Sequence, residues 1–334
     1  MASTWQQTRS NRGKDVKHEV EAKTYYRTFS RAHPVLAKIK QGDSVKTRCV
    51  DSGGQDYRGE HRSEPGNPLT GSFFVEGAEP GDTLAVHFDR VRCNRNWGYT
   101  SYRLGLFALT PDTVETIYSD NYKQDLVRKG RANIVPWDID LKSLRARLRE
   151  PSPKAVKLEF DVRPMLGCVG VAPAGDFAPT SGPSGSYGGN IDYNEIVEGA
   201  TVTLPVYQPG ALLFVGDGHA VQGDGESLGT GIETSMDVEF TVQVRKGVAP
   251  AGPRVENGEY VISVGSQPEF ASSLDRGLQM ATSDMTKWLN QDYGLEFWEA
   301  HLLIGMVGRY DVVTVAGSMA LRVPKKHLPA KKTA

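Results

Sequence analysis

The sequence predicts a mainly β fold with a smaller helical addition towards the C-terminus, and two periodicities support this prediction. Apolar residues alternate with polar ones, as in half-buried strands, over residues 84–88, 156–162, 202–206 and 238–244. From Phe270 to Leu289 they recur every three or four positions, between Pro268 and Gly294, as in an amphipathic helix with both boundary signals. A second helix is predicted over residues 295–307, followed by strand over 312–323. The fold class is therefore α+β, with β structure dominant.

The length of the chain favours one large domain with an elaboration, because 334 residues exceed the size at which a single core usually stops growing. We expect a flexible, charged arm over residues 1–23 and a single domain over 24–324, whose α/β elaboration covers about 265–324. Residues 325–334 are predicted to form a basic, disordered tail. Within the domain we predict a short helix over 141–148. Residues 165–193, rich in glycine and proline, are predicted to form a long loop anchored by its apolar start at 166–171.

Composition limits the partners and the compartment. The 39 basic and 40 acidic residues nearly cancel, so no net charge attracts the chain to nucleic acid or to an anionic membrane. The sequence has no run of about 18 apolar residues, and its polar start lacks the apolar centre of a signal peptide. Three widely spaced cysteines argue against a disulfide framework and a thiolate zinc site. We therefore expect a cytoplasmic protein with a small, neutral substrate.

The stretch A-L-L-F-V-G-D-G-H-A-V-Q-G-D-G-E, residues 211–226, is the main candidate site. Residues 211–215 have the character of a buried strand, and Asp217, His219, Asp224 and Glu226 follow it among glycines. Because side chains alternate along a strand, the spacing of two places Asp217 and His219 on one face, and Asp224 and Glu226 repeat that spacing. Such residues are typical ligands of a hard or borderline metal ion. The alternative is a tight polar hairpin whose carboxylates face water.

Two further acidic residues lie beside glycine pairs, Asp51 in V-D-S-G-G-Q and Asp192 in G-G-N-I-D. A catalytic zinc ion usually keeps three protein ligands and one water. Six candidate residues exceed that number, so the others could be a general base, supporting residues or the ligands of a second ion, for which calcium is an option. Metal-activated water suits hydrolysis of an amide or ester. Glu226 is the predicted general base, because Gly225 gives its backbone freedom, and Asp224 is the next candidate.

Four blocks of the sequence, in order, resemble the acetamidase/formamidase family: G-C-V-G-V-A-P-A-G, G-G-N-I-D, V-E-G-A-T-V-T-L-P-V and G-A-L-L-F-V-G-D-G-H-A-V-Q-G-D-G-E. The resemblance implies a metal-dependent hydrolase of short aliphatic amides, with a jelly-roll-like β-sandwich core and assembly as a homodimer or homotetramer. It further implies a metal and catalytic cluster drawn from Asp51, Asp192, Asp217, His219, Asp224 and Glu226. The S-G-P-S-G-S-Y segment and residues 94–103 depart from the family pattern, which bears on the substrate.

Substrate contacts are predicted at Gln55, Tyr187 and Asn190, with residues 172–189 as a lid and Phe177 beside Tyr187 on the acyl pocket wall. Two alternatives remain open. Cys168 could be a thiol nucleophile, although its apolar neighbours suggest inert packing. The acidic cluster could instead hold a structural calcium ion in a non-catalytic binding module.

Overall fold

The computed structural model describes residues 16–101, 108–116, 134–149, 157–266 and 273–332. Within these residues the strands are β1 Lys17–Glu19, β2 Ala37–Ile39, β3 Ser44–Cys49, β4 Leu69–Val75, β5 Thr83–Cys93, β6 Trp97–Ser101, β7 Ile134–Asp140, β8 Arg145–Leu148, β9 Glu159–Asp161, β10 Met165–Val171, β11 Ser184–Gly185, β12 Gly188–Asn190, β13 Thr201–Pro205, β14 Leu213–His219, β15 Met236–Arg245, β16 Arg254–Glu256, β17 Tyr260–Gly265, β18 Arg309–Thr314 and β19 Ser318–Pro324. The described helices are α1 Pro111–Thr116, α2 Leu274–Tyr293 and α3 Phe297–Val307. Short 3-10 turns occupy Asp224–Glu226 and Lys325–His327.

The described strands form two large sheets and one small sheet. The nine-stranded sheet has the order β1-β3-β15-β5-β13-β16-β17-β19-β18, and the six-stranded sheet has the order β11-β12-β10-β14-β4-β2. The small sheet has the order β6-β7-β8-β9. Most neighbours are antiparallel, whereas β1 with β3 and β2 with β4 are parallel pairs.

The two large sheets share one apolar core. Val86 and Phe240 of the nine-stranded sheet lie in the same fully buried cluster as Phe73 and Phe214 of the six-stranded sheet. The rings of Phe73 and Phe240 meet edge to face, with centroids 5.2 Å apart. Side chains of two facing sheets that bury each other in this way define a sandwich, so the predicted mainly β class is confirmed.

The C-terminal elaboration is also confirmed. Helix α2 begins after Ser273, whose side chain accepts a hydrogen bond from the Arg276 backbone, and ends at Gly294 in the left-handed region with φ 74°. Its apolar face buries Ala281, Met285 and Leu289 against β17, β19 and α3. The expected second helix begins at Phe297, and the predicted final strand is a hairpin of two strands, β18 and β19. Pro268 and Phe270 lie outside the described residues.

Two predictions within the domain are wrong. Residues 141–148 form a turn and strand β8 rather than a helix, because Asp140 Oδ1 accepts hydrogen bonds from the Lys142 and Ser143 backbones at 2.8 and 3.1 Å and closes a hairpin. Residues 165–171 are the fully buried strand β10, between β12 and β14, and not the start of a loop. Glycine is needed there for close packing: a Cβ on Gly170 would lie 2.5 Å from the backbone nitrogen of Gly189.

Both ends of the described chain are better anchored than expected. Residues 1–15 of the predicted arm lie outside the described range, but β1 pairs with β3, and Val20 donates a backbone hydrogen bond to Lys46 at 2.9 Å. In the predicted tail, Lys331 bonds the buried Glu256 carboxylate at 3.0 Å, so disorder is the wrong description up to residue 332. None of the described helices has the length and apolar character needed to cross a membrane.

Candidate active site

Neighbouring strands of the six-stranded sheet bring the candidate residues together. Asp217 and His219 belong to β14, and β14 pairs with β10, so that Leu166 lies opposite Gly218. On the other side of β10, Asn190 of β12 lies opposite Cys168, and Asp192 follows two residues later. The Asp192 backbone nitrogen bonds the Gly167 carbonyl at 3.2 Å, which keeps Asp192 beside β10.

The side chains converge as two groups that share His219. The first group is Asp192, Asp217 and His219; the second is His219, Glu226 and Glu233. Within each group the ligand atoms all lie within 4.8 Å of one another. His219 Nε2 lies 3.1 Å from Glu233 Oε1 and 3.5 Å from Asp217 Oδ1. The convergence of Asp217 and His219 therefore follows the expectation drawn from their spacing.

Several polar atoms of this cluster are buried and make no hydrogen bond. They are Asp192 Oδ1, Asp217 Oδ1, His219 Nε2 and Glu233 Oε2. The contacts of His219 Nε2 with the carboxylates fall short of hydrogen-bond geometry, although the atoms are close. Leaving one such atom unpaired costs about 1–3 kcal/mol, and more for a charged group. Such atoms occur in both groups, which share His219, and they fit coordination of a cation; the nitrogen and oxygen donors are those that zinc accepts.

Burial and crowding shift the protonation of the cluster. Burial raises the pKa of Glu233 to about 8, and Asp217 adds to this while His219 opposes it. Burial, followed by the charges of Glu226 and Asp217, raises the pKa of Asp192 well above its usual value. Burial lowers the pKa of His219, but Glu233 and Asp217 outweigh it and hold this pKa well above its usual value. The cluster thus requires positive charge, which protons or a cation can supply.

Amide side chains orient these groups from outside. The His219 Nδ1 atom lies 2.6 Å from Gln222 Oε1, and Gln222 Nε2 donates to the Asp192 backbone carbonyl at 2.6 Å. Because Oε1 can only accept, Nδ1 carries a proton, and Nε2 is left to face the cluster as a ligand. Asn67 Nδ2 donates to Asp217 Oδ2 at 3.1 Å, and Asn190 Nδ2 donates to Asp192 Oδ2.

Glycines and backbone strain shape the space around the cluster. A Cβ on Gly167 would clash with Asp192 Oδ1 and lie 2.7 Å from Asp217 Oδ2, and a Cβ on Gly231 would lie 2.6 Å from the His219 ring. Asp192, Asp217 and Glu226 all have positive φ, at 50°, 56° and 44°. Such angles cost free energy in non-glycine residues and persist where surrounding structure enforces them, often at functional sites.

Asp51 and Gln55 lie outside both groups. The Asp51 carboxylate is fully buried, bonds Arg95 Nη2 at 2.7 Å through Oδ2, and accepts the Gln55 backbone N–H at 2.8 Å through Oδ1. Gln55 Nε2 donates to the Gly59 carbonyl at 3.2 Å. Both carboxylate oxygens of Asp51 thus have protein partners, and the role of Asp51 in this turn is structural.

The other predicted residues are divided between the cluster and its surroundings. Glu226 reaches the second group from its 3-10 turn and is partly exposed, whereas Asp224 is exposed and accepts a hydrogen bond from Asn194 at 2.7 Å. The Tyr187 ring is buried against Phe29, with centroids 5.5 Å apart, and its hydroxyl donates to the Pro183 carbonyl. Phe177 is exposed.

Cys168 lies beside the cluster as a buried thiol. Its Sγ donates to Asn190 Oδ1 at 2.8 Å, and that oxygen also accepts a bond from Asn67. Burial, followed by the Asp217 charge, raises the pKa of this thiol well above its usual value. A thiol held protonated is a poor nucleophile.

Sequence reasoning missed Glu233, Gln222 and Asn67. Glu233 reaches the cluster because its backbone pairs with His219 in an isolated bridge and with Tyr99. Its only local signal is a lone acidic residue in the otherwise uncharged G-I-E-T-S-M. Gln222 follows His219 by three residues within the main candidate stretch, so it could have been considered as its orienting partner. Asn67 carries no local signal.

Comparison with known proteins identifies relatives of this chain. The model of the acetamidase/formamidase family matches residues 14–182 and 177–275. An acetamidase of Mycolicibacterium smegmatis is 26% identical over 268 residues, covering 64% of this chain and 64% of that protein. A formamidase of Methylophilus methylotrophus is 28% identical over 239 residues, covering 58% of this chain and 57% of that protein. The chain thus spans less than two thirds of the length of these relatives.

Solved structures extend the likeness over nearly the whole chain. A protein described as a predicted acetamidase/formamidase from Thermoanaerobacter tengcongensis superposes with a TM-score of 0.75 at 28% identity, covering 94% of this chain and 97% of that one. An acetamidase from Yersinia enterocolitica gives a TM-score of 0.75 at 26% identity, covering 94% and 93%. Since the family model matches most of its length, the chain belongs to the acetamidase/formamidase family.

Proposed function

We propose that this protein hydrolyses the C–N bond of short aliphatic amides, of the formamide and acetamide type, to a carboxylate and ammonia, and that the reaction requires a divalent metal ion. The observation that carries the proposal is the set of four buried polar atoms without a hydrogen bond contributed by Asp192, Asp217, His219 and Glu233. Family membership and the names of the relatives support the amide substrate.

The donor set favours zinc or a similar ion. Asp192, Asp217 and His219 provide two carboxylate oxygens and one imidazole nitrogen, a ligand set that leaves a coordination position open on zinc. Calcium takes six to eight oxygen ligands, and both groups found among the described residues include His219. Calcium as a second ion, or as a structural ion in a non-catalytic module, is therefore less well supported.

The residues of the chain have distinct roles in this proposal. Asp192, Asp217 and His219 hold the ion, and Gln222 fixes the tautomer of His219. When bound, the ion supplies an acidified water and polarises the amide carbonyl. Glu226, the partly exposed carboxylate, would accept a proton from the attacking water and return it to the leaving amine. The balance is one amide and one water to one carboxylic acid and one ammonia.

A Cys168 mechanism is the second candidate, and the geometry disfavours it. The thiol is buried, donates its proton to Asn190, and has a raised pKa, whereas an activated cysteine needs a lowered pKa and access to substrate. The Asn190 side chain makes hydrogen bonds with Cys168, Asn67 and Asp192. These bonds favour a role in ordering the cluster over a role in contacting substrate.

Two further expectations concern compartment and assembly. All three cysteines are free thiols, which is typical of a reducing compartment and supports a cytoplasmic location. A homodimer or homotetramer remains our expectation for the assembly.

The decisive experiment measures ammonia release together with metal content. Dialysis against a strong chelator should abolish release from formamide and acetamide, and zinc should restore it. Cys168→Ser, tested in parallel, should keep activity within about tenfold. Full activity in protein shown by mass spectrometry to be metal-free would overturn the proposal. Bound calcium with no ammonia release from any short amide would favour the binding module.

A further inference from the structure

The outer face of helix α3 is the most exposed apolar surface among the described residues. Phe297, Trp298, Leu302 and Met306 are 57%, 68%, 56% and 73% exposed. At helical spacing Trp298, Leu302, Gly305 and Met306 lie on one side, opposite the buried Ala300 and Ile304. We call Trp298, Leu302, Gly305 and Met306, together with the exposed Phe297 at the start of the helix, the α3 face.

Helix α3 is therefore apolar on both sides. Over Phe297–Val307 its ionisable residues are Glu299, which caps the helix N-terminus, and His301. A helix that is apolar all round is normally covered on all sides. Among the described residues, β19 and α2 cover one side of α3 only.

Gly305 adds an independent observation. It lies exposed in the interior of α3, and a Cβ built on it would meet nothing within 4 Å. Glycine at such a position costs about 1 kcal/mol relative to alanine. No described residue requires a glycine here, whereas another backbone crossing closely at this point would.

We propose that the α3 face is the contact between two copies of this chain, with α3 packed against α3 of the partner across a twofold axis beside Leu302 and Gly305. Because the axis passes through the middle of the α3 face, Trp298 lies opposite Met306 of the partner subunit. An aromatic ring against a thioether is a favourable contact, and the same patch serves both copies, as a twofold interface requires.

The area available suits a second copy. With aromatic side chains of about 150–250 Å² each, the exposed fractions correspond to roughly 500 Å² of apolar surface. A standard interface buries about 800 Å² per partner around an apolar centre, so the α3 face would supply most of it.

Other occupants fit less well. An interfacial membrane helix carries lysine or arginine at its polar edge, and α3 contains neither. Residues 1–15 connect to β1, at the opposite edge of the nine-stranded sheet from β18, and their composition is mostly polar. A second copy of the chain needs no further component, because one apolar patch serves both sides of a twofold interface.

The test is the mass of the full chain in solution, measured by light scattering or sedimentation. The wild-type chain should be a dimer or larger. Leu302→Glu should halve the mass or raise the dissociation constant at least 100-fold, because two carboxylates would be buried face to face. Ser283→Glu, at an exposed position of α2, should leave the mass unchanged. Circular dichroism confirms that each variant is folded.

A cysteine variant tests the twofold geometry separately. Leu302→Cys should give a covalent dimer with a short bis-maleimide, whereas Ser283→Cys and the wild type should not, because Cys49 and Cys168 are buried and Cys93, which is partly buried in β5, is distant in the sheet order from α3 and β19. A monomeric wild type at about 100 µM would overturn the proposal. So would a folded Leu302→Glu variant of wild-type mass, or equal cross-linking of the two cysteine variants.

Discussion

Glu226 and Asp224 differ in their surroundings although they are two residues apart in the sequence. Glu226 reaches His219 and Glu233, whereas Asp224 points to solvent and Asn194. Glu226→Gln keeps the shape of the side chain but cannot accept a proton, so ammonia release should fall about a hundredfold or more with metal content unchanged. Asp224→Asn is the matched control and should stay within a few-fold of the wild type.

The metal content of the two variants decides between a base and a ligand. If metal is lost from Glu226→Gln in parallel with activity, Glu226 coordinates the ion and another group is the base. A larger loss of activity in Asp224→Asn than in Glu226→Gln would make Asp224 the base and would contradict the assignment given above.

Asp51 illustrates a carboxylate whose role is structural. It pairs in the interior with Arg95, which is only 3% exposed and stacks on Trp97 with its guanidinium carbon 3.6 Å from the ring centroid. Breaking a buried pair by removing one charge costs about 3–5 kcal/mol. Asp51→Asn should therefore lower the urea midpoint markedly and leave the metal content per chain unchanged. Loss of metal at nearly wild-type stability would instead make Asp51 a ligand.

Single residues could be predicted where the information is local. The spacing of two between Asp217 and His219 places them on one strand face, and that required no knowledge of the rest of the fold. Glu233, by contrast, reaches His219 only because a backbone bridge and Tyr99 bring distant segments together. The pairing of Asp51 with Arg95 joins residues 44 apart in sequence. Such contacts depend on sheet order, which periodicity does not specify.

Among the elements, strand β10 has the most direct effect on the cluster, because Gly167 lies under two of its carboxylates. A methyl group on Gly167 would overlap Asp192 Oδ1 and approach Asp217 Oδ2 to 2.7 Å. Gly167→Ala should therefore reduce zinc bound per chain at least tenfold, measured by competition with a chromophoric chelator. Gly182→Ala is the matched control, since its Cβ would meet only Thr180 Oγ1, at an ordinary 3.6 Å.

Equal zinc binding by the two alanine variants would show that β10 does not limit the space for the ion.

The glycines of β10 explain why the sequence predicts a loop for this segment although it is a strand. Glycine has a low propensity for strands, so Gly167 and Gly170 argue against a strand in the sequence. Both are needed in the structure, because the cluster approaches the β10 backbone at Gly167 and β12 approaches it at Gly170. Helix α2, whose boundary signals are local, was predicted to within a few residues.

At the scale of the molecule, the two large sheets and the cluster form one continuous structure. The core shared by β4, β5, β14 and β15 joins strands of both large sheets. Alternating apolar residues predicted β5 and β15 as strands, whereas the sandwich itself was implied by the family resemblance. Strand β14 contributes Phe214 to that core and His219 to the cluster. The stability of the whole fold is thus coupled to the charge state of the site.

This coupling predicts that zinc stabilises the folded chain. Without a cation, Asp192, Asp217 and Glu233 are crowded and buried together, whereas an ion that binds only the folded state adds RT ln(1 + [L]/Kd) to its stability. At zinc about 100-fold above Kd the gain is about 2.7 kcal/mol. For a chain of this size we expect the thermal midpoint of chelator-treated protein to rise by about 5 °C.

Asp217→Asn is the variant that makes this measurement specific. Asparagine tolerates the positive φ of this position, 56°, so the backbone should be retained while one negative charge is removed. Without metal, the variant should be at least as stable as the wild type, because repulsion within the cluster is reduced, and zinc should raise its thermal midpoint by less than about a third of the wild-type shift. A zinc shift of wild-type size in Asp217→Asn would mean that zinc stabilises the fold from another site.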